Sequence, residues 1–215
     1  PLAGALLIGL AGRVNDNLRE SMTLLTANPL NACTRSLHPE VHNGGRPGVR
    51  VGEVLPGNES AIQVEPQGLL FAARASGLWL VNSIYSIGFM RGIREKTQTR
   101  FYVMFAVSLA AATGIAFSAN LFTLFLFYEM LTLSTYPLVS HKGDENTVRS
   151  ARVYLGILIS DSIGLFLPAI VWTYAVAGTG DFTMGGILRG HIEGPQVGLL
   201  LGLFVFGAAK AAVMP

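Results

Sequence analysis

The chain has 215 residues, 51% of them apolar and only 13% charged, the latter about half the share of a soluble domain. Scarce charge with high hydrophobicity excludes a disordered chain. A net charge of +2 with dispersed basic residues argues against nucleic-acid binding, and the single cysteine, Cys33, excludes an intrachain disulfide framework or a Cys-rich metal site. The class that remains is all-α: a polytopic transmembrane helix bundle.

A spanning helix needs roughly 20 mainly apolar residues to cross ~30 Å of hydrocarbon. Residues Pro1–Gly12 form an apolar run that starts without Met and lacks the basic n-region of a signal peptide, so it reads as the first span of a longer protein. Ser21–Asn31 holds Met22, Leu24, Leu25 and Leu30 but is interrupted by Pro29. It is a doubtful second span, completing a first region of residues 1–33. Residues 34–67 are polar and rich in Gly and Pro (HNGGRPG, LPGNES), which predicts an exposed non-cytoplasmic loop. Residues 68–215 then read as a bundle. Gly68–Met90 is a span carrying one blemish, Arg74. Phe101–Val139 is a near-continuous apolar run; as one helix it would be roughly 58 Å long, so a break at Ser118-Ala119-Asn120 is expected to fold it into a helical hairpin. Val153–Ala177 follows, then a polar connector over 178–195, and Val197–Met214 is a last span cut short at Pro215.

Basic residues in the connectors set the orientation. If Ser21–Asn31 crosses, Arg13, Arg19, Arg91, Arg94, Lys96, Arg100, Lys142, Arg149 and Arg152 fall on one side, which makes nine of the fifteen. Arg35, Arg46, Arg50 and Arg189 fall on the other, while Arg74 and Lys210 lie inside apolar runs. The nine-residue side is expected to be cytoplasmic, in a cell (inner) membrane.

Charge inside a span costs at least ~2.5–3.5 kcal/mol on insertion scales, so each case requires a reason. Glu129 lies in LFTLFLFYEMLTLSTYPLV, nine residues after Asn120 and ten before Val139, with no basic residue within a turn of it. It is either a neutral packing carboxyl or a residue of a proton or cation path, and the path is the stronger reading. Lys210, in GLFVFGAAKAAVMP, snorkels if its helix ends there. If the helix continues, it is an intramembrane lysine able to release and recapture a proton. The small residues around it favour close helix packing. Asp161 sits between Ser160 and Ser162 about eight residues into its span and is either a polar packing site or a path residue. His141, where the Glu129 helix leaves the membrane, stands where a histidine could pass protons between cytoplasm and interior. Arg74 reads as a snorkelling residue.

Other patterns are set aside. His38-Pro-Glu-Val-His42 is not H-E-x-x-H, and Pro39 disfavours a helix that would align the two imidazoles. Gly178-x-Gly180 lacks the rest of a dinucleotide fingerprint, and no nucleophile–base pair or redox-cofactor motif occurs. No cofactor or metal is expected, and the chain reads as a path for ions rather than a reaction centre.

Three stretches, ASGLWLVNSIYSIGFMRG (75–92), NLFTLFLFYEMLTLSTYPLVSH (120–141) and GAAKAAVMP (207–215), carry a family resemblance. The chain resembles the antiporter-like proton-translocating subunits shared by respiratory complex I, related membrane hydrogenases and the Mrp-type multisubunit cation/proton antiporters. The Tyr-Glu-Met core and the Tyr-Pro-Leu-Val exit look most like the D-type subunit of the Mrp antiporters. The resemblance implies a fold of about fourteen helices with inverted repeats, of which this chain would be an N-terminal part holding helices one to seven. It implies that Glu129 is the family's helix-five glutamate and Lys210 the lysine of its broken helix seven. The two would be the charged pair of the first half-channel, with Asp161 near a helix-six position where some members carry an acid. The implied function is ion translocation in a multisubunit cation/proton antiporter. The alternative is a proton-pumping subunit of NADH:quinone oxidoreductase or a membrane-bound hydrogenase, in which case the chain is part of a translocase enzyme. The implied partners are other membrane subunits, the lipid bilayer, protons and a cation such as sodium, and not nucleic acid.

Overall fold

A computed structural model describes residues 1–55, 58–95, 97–141 and 143–208. It is a helical bundle with one small β-hairpin. In chain order the elements are α1 (Leu2–Ala11), α2 (Asp16–His42), β1 (Gly48–Leu55), β2 (Asn58–Gln63), α3 (Pro66–Gly92), α4 (Gln98–Ala116), α5 (Leu121–Val139), α6 (Glu145–Asp161), a π-turn (Ser162–Phe166), α7 (Leu167–Ala177) and α8 (Pro195–Gly207).

The helices begin where short polar side chains can satisfy free backbone N–H groups. Asn15 accepts from the Asn17 amide at 3.1 Å to start α2, buried Asn120 accepts from the Thr123 amide at 2.7 Å to start α5, and Asp144 accepts from the Thr147 amide at 3.1 Å to start α6. Asn120 therefore explains the expected break: α4 ends at Ala116, and α5 restarts at Leu121. Two long helices, α4 and α5, form the predicted hairpin. They are joined across their contact by Ser108 and Ser134, whose hydroxyls lie 2.9 Å apart.

The segment Ser21–Asn31 lies within a single 27-residue helix that continues through Pro29 and Pro39 to His42. This helix runs from one end of the bundle to the other: near its start Arg19 reaches Gln98 of α4, and near its end Val41 packs with Val64 and Leu69. The loop expected over residues 34–67 is thus corrected at both ends. Its first part is helix, and most of the rest is an antiparallel hairpin pairing Gly48 with Gln63 and Leu55 with Asn58. Local Gly and Pro content marked a loop because propensity is a weak prior, and packing along α3 overrides it. The hairpin is anchored to the α4–α5 break, where the Gln63 amide donates to the Phe117 carbonyl at 2.7 Å and the Ala119 amide to the Ala61 carbonyl at 3.0 Å. On its other side the break pairs with the connector after α7, through Leu121 N–H to Gly180 C=O and Phe182 N–H to Ala119 C=O, both 3.0 Å.

Two apolar cores result. One joins α1 to α4 around Ile8, Ala27, Trp79, Tyr102 and Ala106. The other gathers Leu121, Phe125 and Tyr128 of α5 with Phe166 and Ile170, and Phe204 of α8 packs on it. Large apolar side chains such as Leu6 (72% exposed), Leu78 (68%) and Phe206 (67%) face outward, as they must where the surrounding solvent is lipid. Among the described residues, three helical stretches are long and apolar enough to cross a membrane: Gln98–Ala116, Leu121–Val139 and Glu145–Ala177. The expected span Gly68–Met90 lies inside α3, which is long enough but more polar, with buried Ser76, Ser83 and Ser86 on its inner face.

The expected span Val153–Ala177 belongs to a 33-residue helical stretch widened at its middle by the π-turn. Pro168 gives the cause. It has no N–H to offer the Gly164 carbonyl and its ring crowds that carbonyl, so the chain takes up the misfit by an i→i+5 turn, with the Leu167 amide reaching Ser162 C=O.

Candidate ion-path site

Glu129 sits half-buried at the middle of α5. The α5 face carrying Leu121, Phe125, Tyr128 and Thr132 is buried against the π-turn and its neighbours, while Leu126 and Leu133 point outward. At 100° per residue Glu129 lies at the border of these faces, next to Phe125 and Thr132 on the inner one.

The buried face of α5 leads directly to the π-turn. The ring of Phe166 lies 5.4 Å from that of Tyr128, 6.0 Å from Phe125 and 5.9 Å from Phe204. Asp161, half-buried, occupies the last α-helical position before this turn. The same turn receives the end of α8 at Gly207, where a Cβ would collide with the backbone N and Cα of Phe166. The fold therefore brings three segments into one cluster: the α5 turn beside Glu129, the π-turn that follows Asp161, and the α8 terminus that precedes Lys210. Lys210 itself lies outside the described residues.

His141 is not part of that cluster. It lies twelve residues after Glu129, roughly 18 Å along the helix axis. Its Nε2 stands 3.6 Å from Glu95 Oε1, its ring meets Phe101 edge-on at 5.7 Å, and the Arg100 guanidinium donates to its carbonyl at 3.1 Å. Between the two, Thr132 donates to the Tyr128 carbonyl at 3.0 Å and Thr135 to the Thr132 carbonyl at 2.9 Å, giving α5 a row of hydroxyls. The acid beside His141 was missed because Glu95 belongs to a different connector; nothing local to SHKGDEN indicates it.

A second group missed in the sequence lies at the same end of the bundle. Arg19 is 2% exposed and Glu20 7%. Arg91 grips Glu20 with two bonds, Nε to Oε1 at 2.8 Å and Nη2 to Oε2 at 2.6 Å. Arg19 donates to Asp16 at 2.6 Å and to Gln98 at 2.7 Å, and it lies over the Tyr102 ring at 5.4 Å. Counted as connector charges, Arg19 and Arg91 in fact tie α2, α3 and α4 together. The clue was the pair Arg19-Glu20 on the inner face of a helix whose periodicity Pro29 obscured. Arg74 is exposed on α3.

His38 and His42 also correct an expectation. Pro39 does not prevent helix here, and the two rings stack 5.9 Å apart at 11°. Among the described residues no cluster of three or more His, Cys, Asp or Glu has metal-binding geometry.

Comparison with known proteins matches residues 118–215, the part carrying α5, the π-turn and α8, to the family described as NADH:quinone oxidoreductase/Mrp antiporter, TM. The chain is 30% identical over 164 residues to the D-type subunit of the Na(+)/H(+) antiporter of Bacillus subtilis, covering 70% of this chain and 32% of that protein. It is 28% identical over 138 residues to the N-type subunit of the NADH-quinone oxidoreductase of Campylobacter jejuni, covering 63% of this chain and 30% of that protein. It thus spans about a third of the length of these relatives. Its fold is that of a chain in the archaeal membrane-bound sulfane sulfur reductase (TM-score 0.79, 18% identity, 97% of this chain and 42% of that one). It is also that of a chain in the Mrp complex of a Dietzia species (TM-score 0.71, 20% identity, 100% of this chain and 41% of that one). Residues 118–215 thus match the membrane domain of the NADH:quinone oxidoreductase/Mrp antiporter family, and the chain is similar over most of its length to antiporter-like membrane subunits.

Proposed function

We propose that the chain is the proton-translocating part of a multisubunit cation/proton antiporter, with Glu129 and Lys210 as the charged pair of a half-channel. The observation that carries this reading is the meeting of α5, the π-turn and the end of α8 at Phe166. An intramembrane carboxylate and an intramembrane lysine offset each other's desolvation when their helices meet. While Glu129 is ionised, the protonated form of Lys210 is favoured. When the pairing loosens, the lysine yields its proton more readily. Asp161, next to the π-turn, is a second acid on this path, and π-turns recur at functional sites because they re-aim backbone groups. His141 with Glu95 is the cytoplasmic end of the path, reached through water along the α5 hydroxyls. The seven described basic residues at that end (Arg13, Arg19, Arg91, Arg94, Arg100, Arg149 and Arg152) support a cytoplasmic assignment in the cell membrane.

The likeness to the N-type oxidoreductase subunit supports a second reading, in which the same residues pump protons inside a quinone-reducing complex. Co-purification separates the two: small antiporter subunits accompany the chain in the first case, iron–sulfur subunits in the second. Proton-coupled transport in membrane vesicles tests both. Glu129→Ala and Lys210→Ala each abolish it, and Glu129→Gln does so equally, because the charge and not the shape is required. Wild-type transport in the alanine variants refutes the half-channel.

A further inference from the structure

A cleft of about 520 Å³ opens between the end of α2 and the start of α3, outside the ion path. Its α2 wall carries Arg35, His38 and His42, spaced three and four residues apart and so aligned on one helix face. Its α3 wall is apolar, formed by Leu69, Leu70 and Ala73. Thr34 lies 3.5 Å from Ser76 and Val41 packs on Leu69, so α2 runs antiparallel to α3 here. The basic wall extends from the hairpin end of the bundle roughly 10 Å inward. No described carboxylate lines the cleft. Leu70 and Phe71, about half exposed, border it on the outer surface.

The histidine pair alone would suit a transition metal, but Arg35 adds a permanent positive charge to the same wall, which opposes a cation and favours an anion. The apolar facing wall opposes a small hydrated anion. A ligand with a phosphate at one side and hydrocarbon at the other satisfies both walls. We propose that this cleft binds an anionic phospholipid of the non-cytoplasmic leaflet, its phosphate held by Arg35, His38 and His42 and the start of an acyl chain lying on Leu69, Leu70 and Ala73. Basic pockets between transmembrane helices hold such headgroups by this combination of charge and apolar contact.

The test is native mass spectrometry of the delipidated protein in detergent, titrated with phosphatidylglycerol, phosphatidylcholine, inorganic phosphate or Zn²⁺. Phosphatidylglycerol is expected to bind, and Arg35→Gln to weaken it about fivefold, the factor one basic residue contributes at an anionic membrane. Ala73→Phe, which fills the apolar side and leaves every basic residue in place, is expected to weaken it comparably. Folding of both variants is checked by their unchanged thermal transition. Equal retention of phosphatidylcholine, undiminished phosphatidylglycerol binding in both variants, or phosphate binding as tightly as the lipid overturns the proposal. So does Zn²⁺ binding that His38→Gln abolishes in a protein that binds no phosphatidylglycerol, which would make the pair a metal site. A copy of a neighbouring subunit seated on the cleft in the purified complex also overturns it.

Discussion

Gly207→Ala tests whether the meeting of α8 with the π-turn positions the lysine. The added methyl would lie 2.7 Å from both Cα and Cβ of Phe166 and closer still to its amide nitrogen. Ordinary contact begins at 3.4 Å, so α8 must retreat by roughly 1 Å to clear the amide nitrogen. The obstacle is backbone and cannot rotate away, unlike a flexible side chain. Overpacking of this kind costs about 1–3 kcal/mol. The functional effect should be larger in proportion, because proton transfer works over ~2.6–3.2 Å and a shift of that size takes a donor out of reach; transport should fall about tenfold or more. The assay is dye-reported proton movement in vesicles, with thermal unfolding in detergent alongside. Gly202→Ala is the control, since a methyl there meets nothing within 4 Å on the same helix. If Gly207→Ala and Gly202→Ala give the same transport and the same melting temperature, the close approach at Phe166 does not position the ion path.

Removing Glu20 leaves Arg19 buried beside one carboxylate fewer and strips Arg91 of both its bonds to Glu20, leaving α2 only the bond from Arg91 to Asn17. With Arg91 half exposed to solvent and Arg19 still held by Asp16, Glu20→Ala should lower the melting temperature in detergent, and an unchanged value would contradict this. Asn120→Ala removes the α5 cap and a buried partner of the Thr123 amide; a loss of about 1–2 kcal/mol is expected in detergent unfolding. Thr123→Val, which keeps the shape but removes the hydroxyl that the Ala61 amide reaches at 3.2 Å, should raise hydrogen exchange in the hairpin while leaving α4 and α5 protected.

Composition and hydropathy determined the class of this protein, because lipid admits few charges and requires long apolar helices. They also singled out Glu129, Asp161 and His141 by the cost of placing each in or beside a span, and Asn120 marked the break that folds the apolar run in two. The sequence alone could not show that α2 reaches from one end of the bundle to the other. Two prolines and a polar composition argue locally against it, and only contacts along α3 and α4 hold the helix together. The pairing of His141 with Glu95, the clamp of Arg19, Glu20 and Arg91, and the cleft beside Arg35 each join residues at least several helical turns or a whole helix apart. Periodicity reads one helix at a time, and these sites exist only between helices. The scarce charge that first indicated a membrane thus named the single residues, while packing at Phe166 and Gly207 decided which helical segments meet.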